Sequence, residues 1–238
     1  MSGHSKWDNI KRRKGAQDQK RGKIFSKISR LIIAAVKEGG SDDANFNPRL
    51  RLAIERARSE NMPNDNINRA IVGAAKSNED AKEFVLEGYG PGGVAVMIEA
   101  LSDNHQRTVQ ELKNIFQKGG GSLSEPGAVA FQFEKKGLLE IEKVAEEKML
   151  SLIDAGADDF EEIDGKTVVW ASASALSLLE LKATELGIEV KRSDVVMKPI
   201  NKVSSDKGIK AKAADFLETV ADHDDVQRVF SNLDTAGL

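Results

Sequence analysis

The residues best suited to chemistry in this chain are cations gathered at its start. Of the first thirty residues, ten are lysine or arginine and only Asp8 and Asp18 are acidic. Side chains of this kind at this density neutralise phosphate groups. We predict that these ten cations bind nucleic acid together with Trp7, which lies among them, and with three arginines of a second helix. The predicted nucleic-acid-binding set is Lys6, Trp7, Lys11, Arg12, Arg13, Lys14, Lys20, Arg21, Lys23, Lys27, Arg30, Arg49, Arg51 and Arg56.

The charge of the chain is unevenly distributed. Residues 1–78 contain 17 basic and 8 acidic residues, a net charge of +9, whereas the remaining residues contain 18 basic and 30 acidic residues, a net charge of -12. A basic segment on an acidic body is typical of a protein that binds a polyanion, most simply nucleic acid. The alternative interpretation is a solvated lysine-rich surface without a partner.

Trp7 is the only aromatic residue inside the basic N-terminal arm. An aromatic ring beside lysine and arginine is suited to stacking on an unpaired base. The nearby Ile10 offers the other role, in which Trp7 packs the arm against the helices. The sequence leaves both roles open.

The sequence supplies little for catalysis or metal binding. Cysteine is absent, which excludes disulfides, thiol catalysis and thiolate zinc sites. His4, His105 and His223 are too widely spaced to form a paired histidine motif. We therefore predict no catalytic residue, no metal site and no cofactor.

Two other segments resemble binding motifs. The glycine-rich segment 88–93 leads into a strand rather than a helix, so a hairpin turn is favoured over a phosphate-binding loop. In the acidic segment around Gly165, Phe160 and Ala171 would fall at calcium-loop positions that require ligands. A solvated hairpin, or a face that repels nucleic acid, explains that segment better. Its acidic members are Asp158, Asp159, Glu161, Glu162 and Asp164.

Helices are predicted to position the cations. Apolar residues recur at three-and-four spacing from Ile24 to Ala35, which indicates a helix over residues 16–37. A second helix is expected to begin at Asn47-Pro48, and a third follows Met62-Pro63. Burying the apolar side of the first helix is expected to expose a cationic ridge on another side, formed by Lys20, Lys23, Lys27 and Arg30.

Beyond residue 78, strands alternate with helices. A β-β-α-β set is predicted to end with a strand around Val129, Phe131 and Phe133, and residues 136–198 follow the β-α-β-β-α-β order of a ferredoxin-like unit. The helix and strand after residue 207 are expected to return to the middle domain. The predicted fold class is α+β with three domains: a helical basic domain (1–78), a middle α+β domain (79–135 plus 199–238) and an inserted ferredoxin-like domain (136–198).

The sequence contains no apolar run of about 18 residues and no signal-peptide core. We therefore expect a cytoplasmic protein that makes no membrane contact. No pattern in the sequence fixes its oligomeric state.

Several motifs together resemble the YebC family, over essentially the whole chain. The resemblance implies three domains, no enzymatic activity and a role as a DNA-binding transcriptional regulator. It also implies an alternative, since mitochondrial relatives are translational activators and bacterial relatives are linked to ribosomes stalled at proline runs. One departure is Val72-Gly73-Ala74-Ala75, which replaces a stretch that is often more basic in relatives. The motifs are Gly3-His4-Ser5-Lys6-Trp7, Asn47-Pro48-Arg49-Leu50-Arg51, Asn61-Met62-Pro63 and Glu87-Gly88-Tyr89-Gly90-Pro91-Gly92-Gly93-Val94.

The nature of the nucleic acid stays open at this level. The cations suit the phosphates of DNA and of structured RNA, and no convincing helix-turn-helix signature is present. The expected partner is DNA for a transcriptional regulator, or ribosomal RNA and the ribosome for a translation factor.

Overall fold

The computed structural model describes residues 17–77, 81–163 and 165–235. The N-terminal domain is helical, with α1 (Gln17–Gly39), α2 (Pro48–Ser59) and α3 (Asn64–Ala74). Asn47 caps α2 as predicted, because its Oδ1 atom accepts a hydrogen bond of 3.0 Å from the Leu50 amide. Ile28 and Ile32 of α1 pack with Leu50 and Ile67 in the core of this domain.

The middle domain is a four-stranded antiparallel sheet with two helices on one face. It contains β1 (Lys82–Tyr89), β2 (Ala95–Ser102), α4 (His105–Gly119), β3 (Ser122–Ser124), α7 (Lys207–Ala221) and β8 (Val226–Ser231). The strand order is β3-β1-β2-β8. The predicted return of the C-terminal segment to this domain is therefore confirmed, because β8 pairs with β2.

The inserted domain has the ferredoxin-like order. It contains β4 (Phe133–Glu142), α5 (Glu146–Asp154), β5 (Ala157–Ile163), β6 (Lys166–Ser172), α6 (Leu176–Glu185) and β7 (Val190–Pro199), with strand order β5-β6-β4-β7. The α+β fold with three domains, the last inserted in the middle one, is confirmed. Independent folding of residues 136–198 stays a prediction.

The strand predicted around Val129 and Phe133 is wrong. Residues Ala130–Gln132 form a short 3-10 turn, and Phe133 begins β4 of the other sheet. The buried carboxylate of Glu87 accepts hydrogen bonds from the backbone amides of Gly127 (2.7 Å), Val129 (2.7 Å) and Ala130 (2.9 Å). Because these N–H groups are bound to a side chain, they cannot join a strand ladder.

The glycine-rich segment forms a tight turn, as predicted, although Gly88 and Tyr89 are still paired in β1 and the turn begins at Gly90. It closes the antiparallel β1–β2 hairpin, in which Tyr89 pairs with Ala95. Gly92 has φ of 74°, and a Cβ atom there would lie 2.4 Å from Ile209 Cγ2 on α7. The glycines thus let the turn pack closely against a helix.

The two sheets stack on each other through the faces that their helices leave open. Met97 and Phe230 of the middle sheet share a buried apolar core with Leu138, Val168 and Trp170 of the inserted sheet. The helices α4 and α7 cover the outside of one sheet, and α5 and α6 cover the outside of the other. These two domains therefore form one body of four layers, in the order helices, sheet, sheet, helices. The helical domain packs against this body.

Candidate nucleic-acid interface

Part of the predicted cationic ridge on α1 faces the middle domain. Lys27 Nζ donates a 2.8 Å hydrogen bond to the Ala221 carbonyl at the end of α7, where the helix dipole is negative. Arg30 Nη1 lies 3.0 Å from Asp225 Oδ1. The expectation that the whole ridge faces solvent is therefore wrong for Lys27 and Arg30, because an acidic and carbonyl-rich surface of the same chain covers them. Lys23, one turn earlier, is exposed.

Asp225 is the centre of this contact. Its carboxylate accepts hydrogen bonds from Thr108 (2.6 Å), Arg30 (3.0 Å), Ser102 (3.0 Å) and Arg107 (3.1 Å). Burial alone would raise the pKa of Asp225, but these hydrogen bonds outweigh it and lower the pKa to about 2. The carboxylate is therefore charged at neutral pH and holds the helical domain through Arg30.

Arg56 of α2 makes a second contact with the body. Its Nη2 atom donates a 2.8 Å hydrogen bond to the carbonyl of Gln227, which lies at a register shift where Val226 pairs with Ala100 but Arg228 pairs with Glu99. Burial and the neighbouring charge of Arg228 lower the pKa of Arg56. Arg56 thus packs in the protein and has little surface left for a phosphate.

Four members of the predicted set are exposed in the described part of the chain, namely Arg21, Lys23, Arg49 and Arg51. Arg49 is paired with Glu38. The Arg21 guanidinium lies 5.9 Å from the centre of the Phe25 ring. Nucleic-acid binding by the predicted residues stays a prediction. The residues Lys6, Trp7, Lys11, Arg12, Arg13 and Lys14 and the side chain of Lys20 lie outside the described part.

Four exposed cations of the helical domain were missing from the sequence-based set: Lys37 of α1, Arg58 of α2, Arg69 of α3, and Lys76 just after α3. Lys37 donates a hydrogen bond of 2.6 Å to the Ser77 carbonyl. Arg58 lies seven residues after Arg51, so these two residues occupy one side of α2. Lys76 lies two residues beyond the end of α3. The seven-residue spacing from Arg51 is the sequence pattern that could have identified Arg58. We call Arg51, Arg58, Arg69 and Lys76 the exposed cation set; within the described residues none of them has an ion pair.

Two members of this set line a shallow surface groove. Arg69 and Lys76 share it with Asn68, Val72 and Asp65. Asparagine and arginine are the side chains that most often read adenine and guanine edges. The groove therefore brings two cations and an asparagine together beside Val72, at the stretch that is often more basic in relatives.

One group of potential metal ligands occurs in the described residues: Glu111, His223 and Asp225. Glu111 and His223 are paired at 2.9 Å through His223 Nε2, and His223 Nδ1 accepts the Asp225 amide. The Asp225 carboxylate is occupied by two arginines. A cation would have to displace both guanidinium groups, so the geometry fits an interdomain contact better than a metal site.

The acidic hairpin is neutralised by lysines of its own domain. Lys136 lies 3.1 Å from Asp158, Lys198 lies 3.3 Å from Asp159, and Lys143 lies 2.8 Å from Glu162. Cross-strand pairs of opposite charge stabilise a sheet. This agrees with the interpretation of a solvated hairpin, and Asp164 lies outside the described residues.

The fold and the surface define a class of protein: three domains, with a helical cation-bearing domain seated on a body of two stacked sheets. The chain belongs to the TACO1/YebC family. Residues 5–77 match the family model described as the TACO1/YebC protein N-terminal domain, and residues 81–233 match that of the TACO1/YebC second and third domain.

Two bacterial relatives support the same assignment. Proteins named probable transcriptional regulatory protein are 48% identical in Thermotoga maritima, with 98% of this chain and 94% of that protein covered, and 46% identical in Chloroflexus aurantiacus, with 98% and 96% covered. The crystal structure of a conserved hypothetical protein from Aquifex aeolicus is 38% identical, with a TM-score of 0.81 over 94% of this chain and 95% of that chain. Within the described residues, no helix has the length and apolar character needed to cross a membrane.

Proposed function

We propose that this chain is a nucleic-acid-binding regulator of gene expression that acts in the cytoplasm, without catalysis. The observation that carries the proposal is the exposed cation set on α2, on α3 and just after α3, whose four charges have no ion pair in the described part of the chain. Unneutralised arginine and lysine on one small helical domain favour a phosphate backbone.

DNA is the first candidate partner, and transcription is the process. The relatives' names support it. So does α3, which follows the short connection after α2 and carries Asn68 and Arg69 on its exposed side. A short helix that presents asparagine and arginine suits base reading in the major groove.

A ribosome-associated RNA-binding translation factor is the second candidate. Three of the four residues in the exposed cation set are arginines, whose planar guanidinium groups bind phosphates in DNA and RNA alike. The domain offers few side chains for base reading beyond Asn68 and Arg69. Recognition of structured RNA by shape requires no more than this.

The deciding experiment is competition binding. The full chain is titrated with a labelled duplex containing a candidate promoter, against scrambled duplex and against a structured ribosomal RNA fragment of similar length. A promoter preference of a hundredfold or more over scrambled duplex supports transcription, since each base read contributes about 1 to 3 kcal/mol. A ratio near one, with tighter RNA binding and cosedimentation with ribosomes, supports translation.

Salt dependence tests the proposal itself. If about six phosphates are neutralised on duplex DNA, log affinity against log salt should have a slope near -5. Binding that does not change between low and high salt, on both nucleic acids, would contradict a phosphate-binding role.

A further inference from the structure

The two helices of the inserted domain expose large apolar side chains on their outer sides. Leu150 and Ile153 of α5, and Leu178 and Leu181 of α6, each expose between 48% and 58% of their surface. Members of each pair are three residues apart and therefore neighbours on one helix. We call these four residues the outer apolar face.

The outer apolar face is separate from the buried core of the inserted domain. On α6, Leu176, Leu179 and Ala183 are buried against the sheet. A helix that covers a sheet needs only one apolar side. Leu178 and Leu181 therefore lie outside the packed core of the inserted domain.

The four side chains lie at matching heights on two antiparallel helices. Lys148 Nζ donates a 2.8 Å hydrogen bond to the Leu186 carbonyl, which places the start of α5 beside the end of α6. At the other end, Gly156 lies against Ala175. Counting inward from these contacts brings Leu150 near the level of Leu181 and Ile153 near that of Leu178.

The border of this face is acidic. Glu146 and Asp154 lie four residues before and after Leu150, and both are exposed. The lysines on the same helices are engaged, Lys148 by the Leu186 carbonyl and Lys182 by Glu185 at 3.1 Å. Residues 136–198 contain 14 acidic and 8 basic residues, a net charge of -6.

We propose that the outer apolar face docks a basic amphipathic helix of a partner protein. An amphipathic helix binds such a surface through leucines at three-and-four spacing, and its lysines or arginines complement the acidic border. A second copy of this chain fits less well, because a symmetric contact would bring Glu146 and Asp154 of both copies together. The proposal does not depend on the nucleic-acid function, since it uses a different domain.

A designed peptide tests the proposal with the full chain. The probe is a fluorescent 18-residue helix of leucine and lysine, with leucines at three-and-four spacing, and binding is measured by fluorescence anisotropy. We expect Leu178→Ser with Leu181→Ser to weaken binding at least about tenfold, and Glu146→Lys with Asp154→Lys to do the same. Leu52→Ser, at an exposed leucine of α2, is the matched control and should bind like the wild type.

Three results would overturn the proposal. A scrambled peptide of the same composition that binds equally well would show attraction by charge alone. Wild-type affinity in the double serine variant would place the peptide elsewhere. A wild-type dimer in sedimentation velocity that the double serine variant abolishes would assign the face to a second copy. Circular dichroism checks that each variant is folded, and Leu178→Ser alone replaces the double variant if it is not.

Discussion

The two interfaces that join the three domains are built from different chemistry. The contact between the middle and inserted sheets is mainly a buried apolar core around Trp170 and Phe230, together with the ion pair of Arg228 and Asp194 at 3.0 Å. Within the described residues, the contact between the helical domain and the body combines a small apolar cluster, Ala34, Ala81 and Leu101, with charged side chains such as Arg30 and Asp225. We expect the first interface to respond less to salt and acid than the second, because burial of apolar side chains contributes most of it.

This difference separates two uses of the same residue type. Lys27, Arg30 and Arg56 hold the helical domain on the body, whereas the exposed cation set faces solvent. Basic residues of one domain therefore cannot be treated as one binding surface. Substitutions in the first group should act on stability and domain position, and those in the second group on nucleic-acid binding.

The largest expected effect is on the apolar interface. Trp170 is fully buried between the two sheets, so Trp170→Ala should lower the free energy of unfolding by about 3 to 5 kcal/mol. Urea unfolding followed by circular dichroism measures this. Leu178→Ala, at an exposed position, is the control. A loss no larger than that of the control would mean that the two sheets do not depend on each other.

Removal of Asp225 should have the next largest effect. Asp225→Ala leaves Arg30 and Arg107 without their shared carboxylate and should cost about 2 to 3 kcal/mol, since both arginines keep some access to water. Amide hydrogen exchange should show faster exchange in α1 and at the start of α4, where Arg107 and Thr108 also lose their acceptor, and little change in the inserted sheet. The exposed Asp222→Ala variant is the control. Loss of protection in the inserted sheet equal to that in α1 would contradict a contact that joins the helical and middle domains.

Acid should weaken the same contact. The pKa of Asp225 is lowered from its ordinary value of 3.8 to about 2, so its stabilisation is complete above about pH 4 and is lost as pH falls from there towards 2. We expect the difference in unfolding free energy between the wild type and Asp225→Ala to shrink over this range. A difference that stays constant down to pH 2 would show that the charge of Asp225 is not what stabilises the fold.

The smallest effect on stability is expected for the exposed cation set. Changing Arg51, Arg58, Arg69 and Lys76 to Gln should shift the unfolding free energy by no more than about 0.5 kcal/mol per position. If all four contact duplex phosphates, the magnitude of the salt slope should fall by about 3 to 4. The control changes Lys113, Lys118, Lys207 and Lys212, exposed lysines of the middle domain, to Gln. An equal fall in both variants would move the nucleic-acid site away from the helical domain.

The sequence by itself determined the local elements and their order. Helix caps such as Asn47-Pro48, the three-and-four spacing of Ile28 and Ile32, and the β-α-β-β-α-β pattern after residue 136 are set by neighbouring residues, and the structure agrees with them. The insertion of one domain in another also followed from the sequence, because the middle sheet lacked elements that only the C-terminal segment could supply. The strand around Val129 failed because its amides bind Glu87, about forty residues away.

The tertiary structure decided which cations face solvent and which bind other parts of the protein. Helical periodicity places Lys23, Lys27 and Arg30 on one side of α1 but cannot show what lies opposite that side. The partners of Lys27, Arg30 and Arg56 are Ala221, Asp225 and Gln227, which lie more than 170 residues further along the chain. Pairing over such a separation depends on how the domains stack, and this stacking also leaves Arg58, Arg69 and Lys76 in solvent.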